Sequence, residues 1–135
     1  MAQSGQPPAP FTCSYSPNVP EFFHQAGCTL VVSTYQASKV IFLSAVSDEK
    51  LIQLPRNFER AMALGAGDGL LLVAEGSRVV QLTASTGLAK GYPRQPDTHE
   101  ALYVPTAEYV TGPINAHGLE IARGKDGRRE VLAVN

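Results

Sequence analysis

Seven polar and aromatic side chains stand in segments that could contact a ligand. They are Tyr35, Gln36, Lys39, Arg56, Arg60, Tyr109 and His117. Such groups supply the hydrogen bonds, charge and ring faces of a binding site. We select Tyr35, Arg60 and His117 as candidate binding residues, because each has a titratable or charged group. In the alternative, structural interpretation, Tyr35 and Tyr109 pack between sheets, and Arg56 and Arg60 hold loops through backbone carbonyl groups.

Residues at the spacing of common catalytic or metal sites are missing from the sequence. The histidines, His24, His99 and His117, lie far apart without Cys-x-x-Cys or His-Glu-x-x-His spacing, so we predict no metal site. There is no Gly-x-Ser-x-Gly nucleophile elbow. The glycine-rich segment 65–69 precedes a strand rather than a helix and therefore predicts a hairpin turn, not a phosphate loop. We expect no cofactor and name no catalytic residue.

Composition and charge exclude several classes of partner. Hydrophobic residues make up 44% of the chain and charged residues 17%, which favours a globular core. The 11 basic and 12 acidic residues are scattered, so we expect no nucleic-acid binding. The sequence has no apolar stretch long enough to span a membrane, so we expect no membrane insertion. No signal segment precedes Cys13 and Cys28, which predicts reduced thiols and a cytoplasmic location. Cys28 stands at the head of an apolar run and is therefore expected to be buried.

Short apolar runs bounded by Gly, Ser, Asp or Pro predict an all-β protein built from antiparallel meanders. Asp68-Gly69 indicates a two-residue type I′ hairpin turn, and Lys125-Asp126-Gly127 indicates a second turn. The predicted strands are Thr29–Thr34, Lys39–Ala45, Lys50–Leu54, Met62–Gly65, Leu70–Ala74, Arg78–Thr83, His117–Ala122 and Glu130–Val134.

Three segments lack a strand pattern. Residues 1–10 are rich in Pro, Gln, Ser and Gly and are expected to form a disordered leader. Pro17 and Pro20 are expected to break any early element, so that Glu21–Gln25 forms at most one helical turn. Residues 92–113, rich in Pro and Tyr, are interpreted as a long connection. The chain then ends on a strand-like segment, which predicts that residues 11–135 form an incomplete domain, truncated at the C-terminus.

An internal repeat predicts the higher architecture. The pair Leu30–Val32 and Lys39–Leu43 has an echo in Leu71–Val73 and Arg78–Leu82, about 40 residues later, the period of β-propeller blades. A second repeat aligns residues 61–74 with residues 116–134, and each of the two segments contains an Asp-Gly turn. We therefore predict a partial β-propeller of two to three blades, whose axial mouth the candidate binding residues would line.

The segment Ser33-Thr34-Tyr35-Gln36-Ala37-Ser38-Lys39 resembles a motif of an uncharacterised bacterial family of conserved hypothetical proteins with a propeller-like domain. Further matches are residues 56–64, Tyr103-Val104-Pro105, Thr111-Gly112 and Val134-Asn135. The family typically has His-Asp where this chain has His117-Gly118, so any role of that acidic residue is lost here. The resemblance implies a propeller-like fold and an N-terminal fragment of a member, but no activity.

Two functions remain open from the sequence. The first is a propeller-type binding or interaction module for a small molecule or a protein, since strand patterning occurs without a catalytic motif. The second is a propeller enzyme of lyase or lactonase type, whose catalytic residues lie mainly outside this chain. A stoichiometric divalent ion that is lost on His117→Ala would favour the enzyme.

Overall fold

The computed structural model describes residues 11–135, which form antiparallel strands in three sheets and two short helices. The strand orders are β1-β2-β3, β4-β5-β6-β7 and β8-β9. The elements are α1 (Val19–Ala26), β1 (Thr29–Thr34), β2 (Lys39–Ala45), β3 (Leu51–Asn57), β4 (Ala61–Gly67), β5 (Leu70–Glu75), β6 (Arg78–Ser85), α2 (Thr86–Lys90), β7 (Leu102–Val110), β8 (Gly118–Arg123) and β9 (Arg129–Val134). The prediction of an all-β protein of antiparallel meanders is confirmed. The predicted disordered leader, residues 1–10, lies outside the described residues.

The N-terminal helix is longer than the sequence predicted. α1 spans eight residues rather than one turn, and Pro20 lies in its first turn. Proline is tolerated there because no intrahelical hydrogen bond needs its missing N–H. Gly27 ends the helix in a left-handed conformation, with φ 58°, and donates its N–H to the carbonyl of His24. No helix within residues 11–135 is long and apolar enough to cross a membrane.

The interpretation of residues 92–113 as a connection is wrong for Leu102–Val110, which form a strand. β7 runs from Leu102 to Val110 and pairs antiparallel with β6, from Arg78↔Val110 to Ser85↔Leu102. Pro105 lies within β7, and a register shift falls beside it at Gln81/Leu82. β7 is the edge strand of its sheet, where proline costs no ladder hydrogen bond on the open side.

The two predicted turns are present and set the strand registers that follow. Asp68 and Gly69 have φ of 52° and 74°, the pair of positive values that a type I′ turn requires. In the second turn, the Gly127 N–H donates to the Gly124 carbonyl at 2.9 Å, and the Gly124 N–H donates to the Arg128 carbonyl at 2.8 Å. Gly127 has φ 78°, so this hairpin has a three-residue loop with a glycine bulge.

The core lies where the second sheet packs on the third. All residues of β5 are buried, and Leu72 and Val73 have no exposed surface. Ala63, Leu72 and Val79 cluster with Ala116 and Leu119. The burial of a leucine of this kind contributes about 2 kcal/mol. The approach of β4 to β8 is close, because a Cβ on Gly65 would stand 3.0 Å from the Leu119 carbonyl oxygen.

The described residues divide into two compact units, of which one combines residues up to Val31 with Phe42–Pro55. Within that unit, His24 Nδ1 lies 2.7 Å from Asp48 Oδ1. Both cysteines are free, and Cys28 is exposed. The prediction of a buried Cys28 is therefore wrong, because an apolar run predicts a strand but not which of its ends is covered. The other unit, Val32–Ile41 with Arg56–Asn135, contains the candidate site.

Candidate binding site

Four chain connections meet around one shallow depression. They are the β1–β2 turn, the β3–β4 turn, the β5–β6 turn and the loop that precedes β8. The lining residues are Tyr35, Arg60, Met62, Ala74, Gly76, Asn115 and Ala116. The structure thus brings together two of the three candidate binding residues, although they come from different hairpins.

The β3–β4 turn is held in place by three successive backbone N–H groups, those of Phe58, Glu59 and Arg60. The Phe58 N–H donates to the Ser38 carbonyl at 3.0 Å, and the Arg60 N–H donates to Ser38 Oγ at 3.2 Å. Between them, the Glu59 N–H donates to Glu75 Oε1 at 2.8 Å. The turn that carries Arg60 is therefore fixed to both neighbouring turns.

Glu75 is the one buried charged side chain among residues 11–135, with 6% of its surface exposed. Its Oε2 accepts a hydrogen bond of 2.7 Å from Arg78 Nε, and Arg78 Nη1 donates to Glu108 Oε1 at 3.0 Å. The hydrogen bonds to Glu108 and then to Glu75 raise the pKa of the Arg78 guanidinium. A buried carboxylate needs such partners. This network anchors the β5–β6 turn beside the depression and pairs the Arg78 guanidinium with two carboxylates.

Arg60 differs from Arg78 in its backbone conformation and in its hydrogen-bond partners. Its φ is 50°, a left-handed conformation that costs a non-glycine residue about 1–2 kcal/mol. Its Nη2 lies 3.1 Å from the position that a Cβ on Gly76 would take. Within residues 11–135, the Arg60 guanidinium donates to no carboxylate and to no backbone carbonyl. The side chain is exposed, so its positive charge is open to a ligand.

Of the other two candidate binding residues, Tyr35 lines the depression with Arg60 and His117 does not. Tyr35 is 44% exposed at the start of the β1–β2 turn and lines the depression. His117 does not line it; its side chain is exposed, and its N–H donates to the Val134 carbonyl at 2.7 Å. Asn115, two residues before His117, lines the depression instead, with φ 46°.

Two candidates from the wider set, Tyr109 and Lys39, lie elsewhere. Tyr109 lines a separate groove, and its hydroxyl donates to Gln81 Oε1 at 3.0 Å. Lys39 Nζ donates to Asn57 Oδ1 at 2.7 Å, which joins β2 to β3. These contacts are structural, so the seven side chains do not form one site.

The form of the depression limits what it can hold. It encloses no space that a water molecule could occupy. Small-molecule pockets are typically about 300–1,000 Å³ and enclose most of the ligand. Among the described residues, no group of three or more His, Cys, Asp or Glu side chains could hold a metal ion. The geometry suits contact with a surface rather than enclosure of a ligand.

Comparison with protein families assigns the chain to a family of unknown function. The model of a domain of unknown function, DUF4915, matches residues 17–135. The chain therefore belongs to the DUF4915 family. No curated protein and no solved structure matches it.

Sequence reasoning missed three residues that build the site: Ser38, Glu75 and Asn115. Ser38 and Asn115 both have positive φ, at 50° and 46°, and neither has a sequence signal as strong as glycine. Glu75 ends an apolar run before Gly76-Ser77, where a charged residue is typical of a solvent-exposed turn. Its position directly after five apolar residues, Leu70–Ala74, was the available sequence signal.

Proposed function

We propose that this chain is a propeller-type interaction module that binds a protein partner, without catalysis, at the depression between Tyr35, Arg60 and Asn115. The observation that carries the proposal is the exposed Arg60 guanidinium, which has no acidic partner among residues 11–135. Strained backbone is concentrated at functional sites, and Ser38, Arg60 and Asn115 all have positive φ. Such a conformation needs fixed surroundings, which the hydrogen bonds to Ser38 and Glu75 provide.

The residue types indicate what the partner presents. Tyrosine and arginine are enriched among the residues that dominate protein interfaces. A guanidinium binds a carboxylate through two parallel hydrogen bonds, so the partner would place an Asp or Glu side chain against Arg60. Tyr35 would then cover the apolar part of the same segment. The shallow form of the depression supports a protein surface over a small molecule.

Two further parts of the proposal concern architecture and location. The propeller arrangement is supported by the repeat of about 40 residues and by the packing of the β4–β5 hairpin on β8, because blades bury their faces on one another. A cytoplasmic location is supported by the free Cys13 and Cys28, since thiols stay reduced there.

A peptide selection tests the binding site. Peptides selected from a random phage-displayed library on the wild-type chain should contain an acidic residue. Their affinity should fall at least about tenfold, or 1.4 kcal/mol, on Arg60→Ala. Arg128→Ala is the matched control, because Arg128 is also an exposed arginine but lies in the β8–β9 turn. Selected peptides that bind Arg60→Ala as well as the wild type would contradict the proposal.

A further inference from the structure

The turn between β1 and β2 has a serine where the backbone conformation favours glycine. The turn Tyr35-Gln36-Ala37-Ser38 closes with a hydrogen bond of 3.3 Å from the Ser38 N–H to the Tyr35 carbonyl. Ser38 has φ 50°, a left-handed conformation that glycine adopts at no steric cost. Serine is strained in this conformation because of its Cβ. The turn alone therefore gives no reason for a serine at this position.

Ser38 is also bonded to the β3–β4 turn, through two of its polar groups. Its carbonyl accepts a hydrogen bond of 3.0 Å from the Phe58 N–H, and its Oγ accepts one of 3.2 Å from the Arg60 N–H. A glycine at position 38 would keep the carbonyl and the backbone N–H but would have no hydroxyl. The bond to the Arg60 N–H is therefore the one hydrogen bond within residues 11–135 that serine makes here and glycine would not.

This bond holds the backbone at the point where the Arg60 side chain begins. Arg60 also has φ 50°, and its guanidinium lies beside Gly76, with Nη2 3.1 Å from the position of a Cβ there. Rotation of the Arg60 backbone would turn its Cβ and carry the guanidinium away from the depression. A guanidinium that is already oriented loses less freedom when it binds a carboxylate. Since the Ser38 N–H bonds to the Tyr35 carbonyl, Ser38 fixes Arg60 relative to Tyr35.

We propose that Ser38 is a positioning residue of the binding site, whose hydroxyl holds the Arg60 backbone so that the guanidinium meets the partner's carboxylate beside Tyr35. The inference rests on the proposed function, because it requires that Arg60 contacts an acidic side chain. It adds that the affinity depends on a residue outside the contact surface, since Ser38 does not line the depression. Strained residues are concentrated at functional sites, which accounts for a serine in a conformation that favours glycine.

Two substitutions separate the hydroxyl from the backbone conformation. Glycine and asparagine both accept a positive φ, but only asparagine has a side-chain oxygen that can accept from the Arg60 N–H. The probe is the acidic peptide selected on the wild-type chain. Ser38→Gly should weaken its binding about fivefold, the loss expected for one hydrogen bond, and Ser38→Asn should restore most of the affinity. The urea midpoint of Ser38→Gly should stay close to that of the wild type, because relief of the positive φ offsets the lost bond.

Amide exchange at Arg60 tests the bond without any peptide. The Arg60 N–H should exchange several-fold faster in Ser38→Gly than in the wild type, and at about the wild-type rate in Ser38→Asn. Asp97→Gly is the matched control, because Asp97 also has a positive φ, 54°, but does not line the depression. This control should change neither the affinity for the peptide nor the exchange at Arg60.

The possible failures of the positioning role and of the proposed function are distinguishable. Unchanged affinity for Ser38→Gly, when Arg60→Ala still weakens binding, would overturn the positioning role and leave the proposed function intact. Unchanged affinity for Arg60→Ala would contradict the proposed function, and the positioning role with it. A clear fall in the urea midpoint of Ser38→Gly, or no recovery with Ser38→Asn, would show that Ser38 stabilises the turn without orienting Arg60. Equal exchange at Arg60 in Ser38→Gly and the wild type would show that the hydroxyl does not hold it.

Discussion

The β4–β5 and β8–β9 hairpins have the same sequence pattern but very different surroundings. Each begins with a small and apolar segment, turns at Asp-Gly and continues in an apolar strand. In β5, Leu72 and Val73 are completely buried, whereas in β9 Leu132 is 48% and Val134 63% exposed. The apolar pattern of a strand therefore predicts that the strand can be buried. Which of its faces and edges are buried depends on the elements that surround it in the structure.

The two hairpins also differ in how many neighbouring strands pair with their second strands, β5 and β9. β5 lies between β4 and β6, while β9 pairs with β8 alone among the strands of residues 11–135. A two-stranded sheet is marginally stable without further packing, and the third sheet depends on contacts of Leu119, Ile121 and Val131 with the core. The β8–β9 hairpin is thus held by one face, whereas β5 of the other hairpin is paired along both edges and buried throughout.

The largest expected effect comes from equivalent leucines in the two hairpins. Leu72→Ala removes a completely buried side chain and should lower the free energy of unfolding by about 3 kcal/mol. Leu132→Ala, at the equivalent position of β9, should change it by less than about 0.5 kcal/mol. Urea unfolding measures both. Equal losses would show that the two hairpins are covered alike in solution.

A second substitution tests the anchor that only the β4–β5 hairpin has. Glu75→Gln replaces an acceptor of Arg78 Nε and should cost about 2 kcal/mol of unfolding free energy, because Glu75 is buried and its partner is charged. The control is Glu108→Gln, whose side chain is 49% exposed and whose loss should cost less than about 1 kcal/mol. A larger loss of unfolding free energy for Glu108→Gln than for Glu75→Gln would show that the exposed ion pair contributes more to stability than the buried one.

The contact between the hairpins is tested by two glycines of β4. A Cβ at Gly65 would stand 3.0 Å from the Leu119 carbonyl oxygen, so Gly65→Ala should destabilise the protein by about 1–2 kcal/mol. At Gly67 the nearest atom is Ile121 Cδ1 at 3.8 Å, an ordinary contact, and Gly67→Ala should be nearly neutral. Thermal unfolding compares them. If Gly65→Ala is also neutral, β4 and β8 are not in close contact.

The smallest expected effect concerns the ion pair that joins the hairpins at their surface. Arg123 Nη2 lies 2.7 Å from Asp68 Oδ2, and both side chains are well exposed. Arg123→Ala should therefore lower the unfolding free energy by less than about 1 kcal/mol, and less still at high salt. Arg128→Ala, in the adjacent turn, is the control. A loss of several kcal/mol would indicate that the hairpins are held together by charge rather than by packing.

The fold could be predicted where local pattern and final contacts agree. β1 and β2 have the predicted ends, and Asp68-Gly69 forms the predicted turn, because alternation and turn chemistry are local properties. β7 was missed, since Pro105 argues against a strand unless the strand is known to lie at an edge. Edge position depends on the whole sheet and cannot be read from a segment.

The candidate site was predictable only in part for a related reason. Tyr35 and Arg60 could be selected from their residue types, and the structure places both at one depression. Asn115 and Glu75 could not, because their roles depend on strand registers that bring the loop before β8 and the end of β5 beside the β3–β4 turn. Whether Tyr35, Arg60 and His117 bind a partner stays a prediction.

Amide hydrogen exchange of the native chain tests most directly whether β5 is hydrogen-bonded along both edges and β9 along one edge. In β5, the amides of Leu71 and Val73 bond to β6 and those of Leu70 and Leu72 to β4, so all four should exchange slowly. In β9, Leu132 and Val134 should be protected by β8, while Val131 and Ala133 should exchange at least about tenfold faster. Uniform protection along β9, equal to that along β5, would contradict the account.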